Sequence, residues 1–97
     1  MRIDPGAVEF EWDRGNAGKN KKHDVDDSEC EEIFFDEHKV MLRDVLHSGR
    51  EERFVLIGKT KSDRLLFVVF TRRGKKIRVI SARDINKKER RLYEETA

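Results

Sequence analysis

Apolar and polar positions are patterned most clearly between Arg53 and Ala82. "RFVLIG", "RLLFVVFT" and "KKIRVISA" are three β-rich runs, separated by the turn residues Lys61-Ser62-Asp63 and Arg73-Gly74. "RLLFVVFT" is apolar at successive positions, which predicts a central strand buried on both faces. Near the start, "VEFEW" alternates Val8, Phe10 and Trp12 with Glu9 and Glu11, as a one-sided strand does. "NAGKNKKH" (Asn16 to His23) predicts a short helix with Asp13 as a candidate N-cap, although Gly15 and Gly18 weaken it. Asp26-Asp27-Ser28-Glu29 predicts a second helix start, with carboxylates favourable at the positive end of the helix dipole. Cys30, Ile33 and Phe34 give that helix an i, i+3, i+4 apolar stripe, ending near Phe35.

Residues Asp36 to Glu52 carry less pattern: "KVMLRDVL" fits a short strand or an edge segment, and "HSGREE" a loop. Asn86-x-x-Glu89 resembles a capping box and predicts a last helix through about Glu95. The order is therefore strand, two helices, three antiparallel strands, then a helix. That is an α+β domain: a small antiparallel or mixed sheet packed with short helices.

If Arg73-Gly74 is a two-residue hairpin loop, Thr71 faces Lys76 and Val69 faces Arg78. One hairpin face then carries Leu66, Val68, Phe70, Ile77 and Val79. The other carries Leu65, Phe67, Val69, Thr71, Lys76, Arg78 and Ile80, apolar at one end and basic at the other. A cationic rim on an apolar floor suits phosphates at the rim and bases on the floor.

Composition narrows the field. A chain of 97 residues, 36% hydrophobic and 43% charged, supports one small-cored domain, taken here as residues 1–97. There is no run of 18 apolar residues to cross a membrane, and Met1 to Trp12 lacks the apolar stretch of a signal peptide. The single cysteine, Cys30, allows no internal disulfide, which fits a soluble, cytoplasmic setting. Cys30, Trp12 and Phe10 read as core residues rather than as a nucleophile and stacking platforms.

Charge changes the picture more. Residues 1–52 hold 8 basic and 15 acidic side chains, and residues 53–97 hold 14 and 5. From Arg72 to Arg91 there are 10 basic and 2 acidic side chains, a net of +8. Such asymmetry suits a polyanion-binding face, and it equally suits two segments that neutralise each other in the fold. No metal-ligand spacing appears, with His23, His38 and His47 far apart and no CxxC, and there is no phosphate-binding glycine loop. No cofactor is expected. Arg78, in mid-strand between Ile77 and Val79, needs a charged partner. Arg90 and Arg91 fit either phosphate contacts or a solvated helix face. His23 sits beside Lys19, Lys21 and Lys22. A histidine near phosphates suits acid–base work near neutral pH, and a surface histidine at a helix end has the same pattern.

"FEWD", "KNKKHDV", "ECEEIFF", "RFVLIGKT", "RLLFVVFT" and "IRVISARDINKKERRLYEE", in that order, resemble the BrnT family. These are ribonuclease toxins of bacterial type II toxin–antitoxin systems, with a RelE-like fold. The resemblance runs from about Val8 to Glu95 and is most specific in "IRVISAR…ER…Y". The chain departs from the family's Lys-His-Gly-Val at Asp24, and its Trp12-to-His23 spacing is one residue shorter. The resemblance implies metal-free RNA cleavage by 2′-hydroxyl attack, with a translation- and growth-inhibiting outcome. It suggests His23 as base or acid, Arg78 and Arg83 as phosphate and transition-state clamps, and Tyr93 as a stacking group or proton donor. Lys22, Arg72, Lys76 and Arg90 would contact RNA. It also implies a toxin–antitoxin hetero-oligomer with a small DNA-binding, BrnA-like antitoxin. The alternative is a non-catalytic nucleic-acid-binding or regulatory module using the same basic face.

Overall fold

The computed structural model describes residues 8–96. Five strands form one mixed sheet in the order β1-β5-β4-β3-β2. They are β1 (Glu9–Phe10), β2 (Val40–Asp44), β3 (Arg53–Lys59), β4 (Leu65–Arg73) and β5 (Lys76–Asp84). Strands β2 to β5 pair antiparallel, while β1 lies parallel to β5. Two helices, α1 (Asp27–Glu32) and α2 (Lys87–Thr96), complete the α+β domain. The apolar run in β4 is the middle strand, as its unbroken hydrophobicity requires.

The sheet has two unlike faces. On the first, Leu56, Leu66, Val68, Phe70, Ile77, Val79 and Ala82 pack against Val25, Cys30, Ile33 and Phe34 from α1 and its flanks. Phe10, Phe34 and Phe70 meet edge to face, with centroids 5.1 Å apart in each pair. Trp12 packs against the same cluster while its Nε1–H donates to Glu31. On the second face, Val40, Val55, Ile57 and Leu65 are buried with Tyr93 of α2. Gly58 on β3 permits a close approach, because a Cβ there would sit 2.9 Å from Cβ of Ile33.

Several details differ from the sequence expectations. The strand over Val8–Trp12 is paired only at Glu9 and Phe10. The helix over 16–23 is a 3-10 helix confined to Lys19–His23, entered through Gly18 at φ 68. Asp13 does not cap it, since its carboxylate is held by the Gly15 amide and by Arg78. Residues 40–44, left open between strand and edge segment, form the edge strand β2. The second helix stops at Glu32 and continues to Phe35 as a 3-10 turn, after the expected acidic start, where Asp26 and Glu29 form a capping box. The last helix begins as expected, with reciprocal Asn86 and Glu89 backbone contacts at 2.9 Å.

The hairpin loop is Gly74-Lys75, not Arg73-Gly74, so Arg73 faces Lys76 and Thr71 faces Arg78. Glycine takes the first loop position with φ 62, as a type II′ turn requires. A bulge between Val69 and Phe70 then leaves Ile80 without a partner of its own. This extra residue decides which β5 side chains share a face. Arg78 and Arg83 are five positions apart, so strict alternation would send them to opposite faces. With the bulge, Arg78 pairs with Thr71 and Arg83 with Phe67, and both point to the second face.

Beyond Ile77 no strand among the described residues covers the outer edge of β5. Two buried asparagines do so instead. Asn16 Nδ2 donates to the Val79 carbonyl at 3.0 Å, and Asn20 Oδ1 accepts from the Ala82 amide at 2.9 Å. The side-chain amides supply the donor and acceptor that a neighbouring strand would have supplied. They also seat the 3-10 helix, with Lys22 and His23, along the end of β5 that carries Arg83.

Candidate functional site

Both β5 arginines lie on the second face, but their settings differ. Arg78 is at the hairpin end, with its side chain 13% exposed. Its Nη1 and Nη2 donate to the two carboxylate oxygens of Asp13 at 2.8 and 2.9 Å, and Nη1 also reaches Glu11 at 3.2 Å. Arg73 bridges Glu51 at 2.9 Å and Glu11 at 3.4 Å in the same lattice. The Arg78 guanidinium beside Asp13 holds that carboxyl below its usual range, assisted by the Gly15 amide. Three carboxylates thus meet two guanidinium groups, so the charge here is already compensated. The pairing expected for a mid-strand arginine is present.

Arg83 lies at the other end of the face, beside α2, with its side chain 41% exposed. Nη1 and Nη2 form a fork with Glu89, each at 2.8 Å, and the guanidinium carbon sits 4.1 Å from the centroid of the Phe67 ring. Glu89 also accepts the Asn86 amide, so one carboxylate starts the helix and orients the arginine. The Arg83 hydrogen bond holds the Glu89 carboxyl low, and Glu89 in turn raises the arginine. Nη1 also donates to the Asp84 carbonyl at 3.0 Å, whereas Nε–H has no partner among the described residues. One edge of a charged, fixed and partly solvated guanidinium therefore faces outward. Between the two arginines, Leu42 is exposed and Val69 and Ile80 half-exposed, giving the second face an aliphatic strip.

His23 ends the 3-10 helix, exposed, with Lys22 beside it. The next residue, Asp24, is left-handed at φ 58, ψ 39, a conformation that glycine adopts without strain. The Gly-to-Asp departure from the family pattern thus falls on the one turn position where a glycine is physically favoured, and the turn forms nonetheless.

Arg64 is the residue that sequence reasoning missed. Its Nε and Nη2 fork onto Asp84 at 2.7 and 3.1 Å. Its Nη1 reaches the Asp24 carbonyl at 2.6 Å and Glu29 at 3.2 Å, and Nη2 reaches the His23 carbonyl at 3.4 Å. Asp84 is the first cause of its raised pKa, and the Asp84 carboxyl is held low in return. In the sequence it is one basic residue of a polar turn, "KSDR", with nothing to signal its four partners.

The other candidates scatter. Tyr93 is 6% exposed, packed in the α2 cluster, and donates its hydroxyl to Asp36 at 2.7 Å. Burial and that hydrogen bond push it up to about 12. At 6% exposure its ring is packed in the cluster and has no open side for stacking. Arg72 pairs with Ile77 and lies on the first face, away from Arg78 and Arg83. Lys76 is exposed at the hairpin end, and Arg90 is exposed on α2 beside Lys87 and Arg91. Cys30 is fully buried and its thiol pushed up to about 12, as expected of a core residue. Among the described residues no group of three or more His, Cys, Asp or Glu is placed to hold a metal ion. No helix among them is long and apolar enough to cross a membrane.

These features define a small α+β domain that presents an oriented guanidinium and an exposed histidine turn at one end of its sheet. A family model described as "Ribonuclease toxin, BrnT, of type II toxin-antitoxin system" matches residues 12–89, and the chain belongs to that family. Membership makes it the toxin side of a two-component system, which implies a cognate antitoxin. The matched stretch includes His23, Arg64, Arg78, Arg83 and Glu89 and stops short of Tyr93. No curated protein matches the chain.

Proposed function

We propose that this chain is a metal-independent endoribonuclease whose reaction centre lies at the Arg83 end of the second face. The 2′-oxygen of the substrate attacks the adjacent phosphorus while the bond to the 5′-oxygen breaks. The products are a 2′,3′-cyclic phosphate and a 5′-hydroxyl. Arg83 holds the non-bridging oxygens as charge grows on them, and His23 either takes the proton of the attacking 2′-hydroxyl or gives one to the leaving 5′-oxygen, with solvent water serving the other. Lys22 contacts the flanking backbone, and a base rests on the strip of Leu42, Val69 and Ile80.

The observation that carries this reading is the Arg83 guanidinium itself. Glu89 and Phe67 fix it, yet it keeps an outward edge. A fixed cation pays little reorganisation when the transition-state charge appears. Arg78 is only 13% exposed and is shared by two carboxylates, Asp13 and Glu11, so we assign it the role of a strut that fastens the segment after β1 to the sheet. The antitoxin neutralises the toxin by covering the second face. The exposed Leu42, Val45 and Leu46 at the β2 end offer it apolar surface next to that face.

The test is a cleavage assay on a defined RNA in excess EDTA. Cleavage should persist, and an RNA with 2′-O-methyl groups should resist. Loss of cleavage on chelation, restored by Mg²⁺, would overturn the mechanism. RNA binding without any cleavage would favour the non-catalytic module.

A further inference from the structure

We infer that Arg64 is a positioning residue that sets His23 against the Arg83 end of β5. The inference rests on the reading of His23 as the proton-transfer group. Arg64 sits at the start of β4 and donates to the carbonyls of His23 and Asp24, to Glu29 of α1, and to Asp84 of β5. It therefore joins three pieces that the chain brings together from distant positions: the histidine turn, the first turn of α1, and Asp84, the chain neighbour of Arg83 at the end of β5, whose side chain lies on the opposite face. Its side chain is 24% exposed and its guanidinium is taken up by two carboxylates and two backbone carbonyls, so it is placed to hold the site rather than to meet substrate.

The carbonyl contacts are the specific part. Asp24 is left-handed, so the chain reverses direction at the residue after His23. The Arg64 Nη atoms reach the two carbonyls on either side of that reversal, which holds the backbone of the turn that carries His23. Asp84 and Glu29 anchor the guanidinium from the other side. A lysine would keep the charge but offer one nitrogen, which cannot reach two carbonyls and two carboxylates together.

The experiment is a double-mutant cycle on the full chain, read by single-turnover and steady-state cleavage. Rates are compared at equal folded fraction, from thermal melts of each protein. Arg64→Lys should lower kcat at least roughly tenfold, with KM within about twofold, because the group acts on the transition state through His23. In a His23→Ala background the same change should alter kcat by less than about twofold, since there is no imidazole left to misplace. An equal loss in both backgrounds, or an unchanged kcat in folded Arg64→Lys, would overturn the inference while leaving the His23 reading intact. Full activity of His23→Ala would overturn both. If Arg64→Lys does not fold, Asp84→Asn takes its place. That variant loosens the guanidinium and should give a loss of about threefold with the same dependence on His23. A background-independent loss, or none, would count against Arg64 in the same way.

Discussion

The two ends of the second sheet face are built from similar residues and end up with different electrostatics. At the hairpin end, Arg73 and Arg78 meet Glu11, Asp13 and Glu51, and the positive charge is cancelled inside the fold. At the α2 end, Arg83 meets the single carboxylate of Glu89 and keeps 41% of its side chain in solvent, against 13% for Arg78. Both arginines lie on the same strand and, through the bulge, on the same face. A run of basic residues is thus not itself a polyanion site. What counts is which cations the acidic first half of the chain reaches, and it reaches the hairpin end.

The largest expected effect lies at the α2 end. His23→Ala should lower the cleavage rate by about 10²- to 10⁴-fold, the usual contribution of a general acid or base. Arg83→Ala should slow it at least roughly tenfold, about 1.4 kcal/mol of transition-state binding. Single-turnover rates with folding checked by circular dichroism measure both.

Next in size is a change at the packing contact beneath the first face. Gly58→Ala would place a methyl 2.9 Å from the Ile33 side chain and 3.0 Å from its carbonyl. Overpacking of this kind costs about 1–3 kcal/mol, readable as a lowered urea midpoint. Cleavage per folded molecule should stay unchanged, because neither end of the second face moves.

A third expectation concerns pH. Asp13, Asp84 and Glu89 all have folded pKa values held below their ordinary ones, by Arg78, Arg64 and Arg83 respectively. Their stabilisation is present above the unfolded values near 4 and is lost as pH falls through the folded values. Tyr93 is raised from 10.0 to about 12, so its contribution is intact below pH 10 and is lost as pH climbs toward 12. Thermal melts should therefore fall off on both flanks, and Tyr93→Phe should flatten the alkaline one.

Smallest is Asp24→Gly. The left-handed conformation favours glycine, while glycine also gains unfolded-state entropy, so stability should shift by less than about 1 kcal/mol. A shift much larger than this would mean that the Asp24 side chain has a role of its own.

The periodic parts of the fold were readable in advance. The three long strands, the buried middle strand, the acidic start of α1, the capping box at Asn86 and the core role of Cys30 follow from local pattern. The 3-10 helix was harder, because Asn16 and Asn20 owe their roles to a strand more than 60 residues away. The bulge at Ile80 leaves no mark in an alternating sequence, yet it decides which arginines share a face. The site was legible as residue types and not as partners. His23 stood out through its neighbours and Arg83 through the resemblance, whereas Arg64 looked like any turn cation, and the pairing of Arg78 with Asp13 bridges residues 65 positions apart. Tyr93 carried a functional expectation from resemblance, but its place on the apolar stripe of α2 sends it inward.

The most direct test compares the two arginines in one assay. Single-turnover cleavage of one RNA is measured for the parent, Arg83→Ala and Arg78→Ala, at a temperature where all three are folded. The expected result is a loss of at least roughly tenfold for Arg83→Ala, with Arg78→Ala within about threefold of the parent and less heat-stable. The reverse order, a folded Arg78→Ala protein that no longer cleaves beside an active Arg83→Ala, would place the reaction centre at the hairpin end and contradict the assignment.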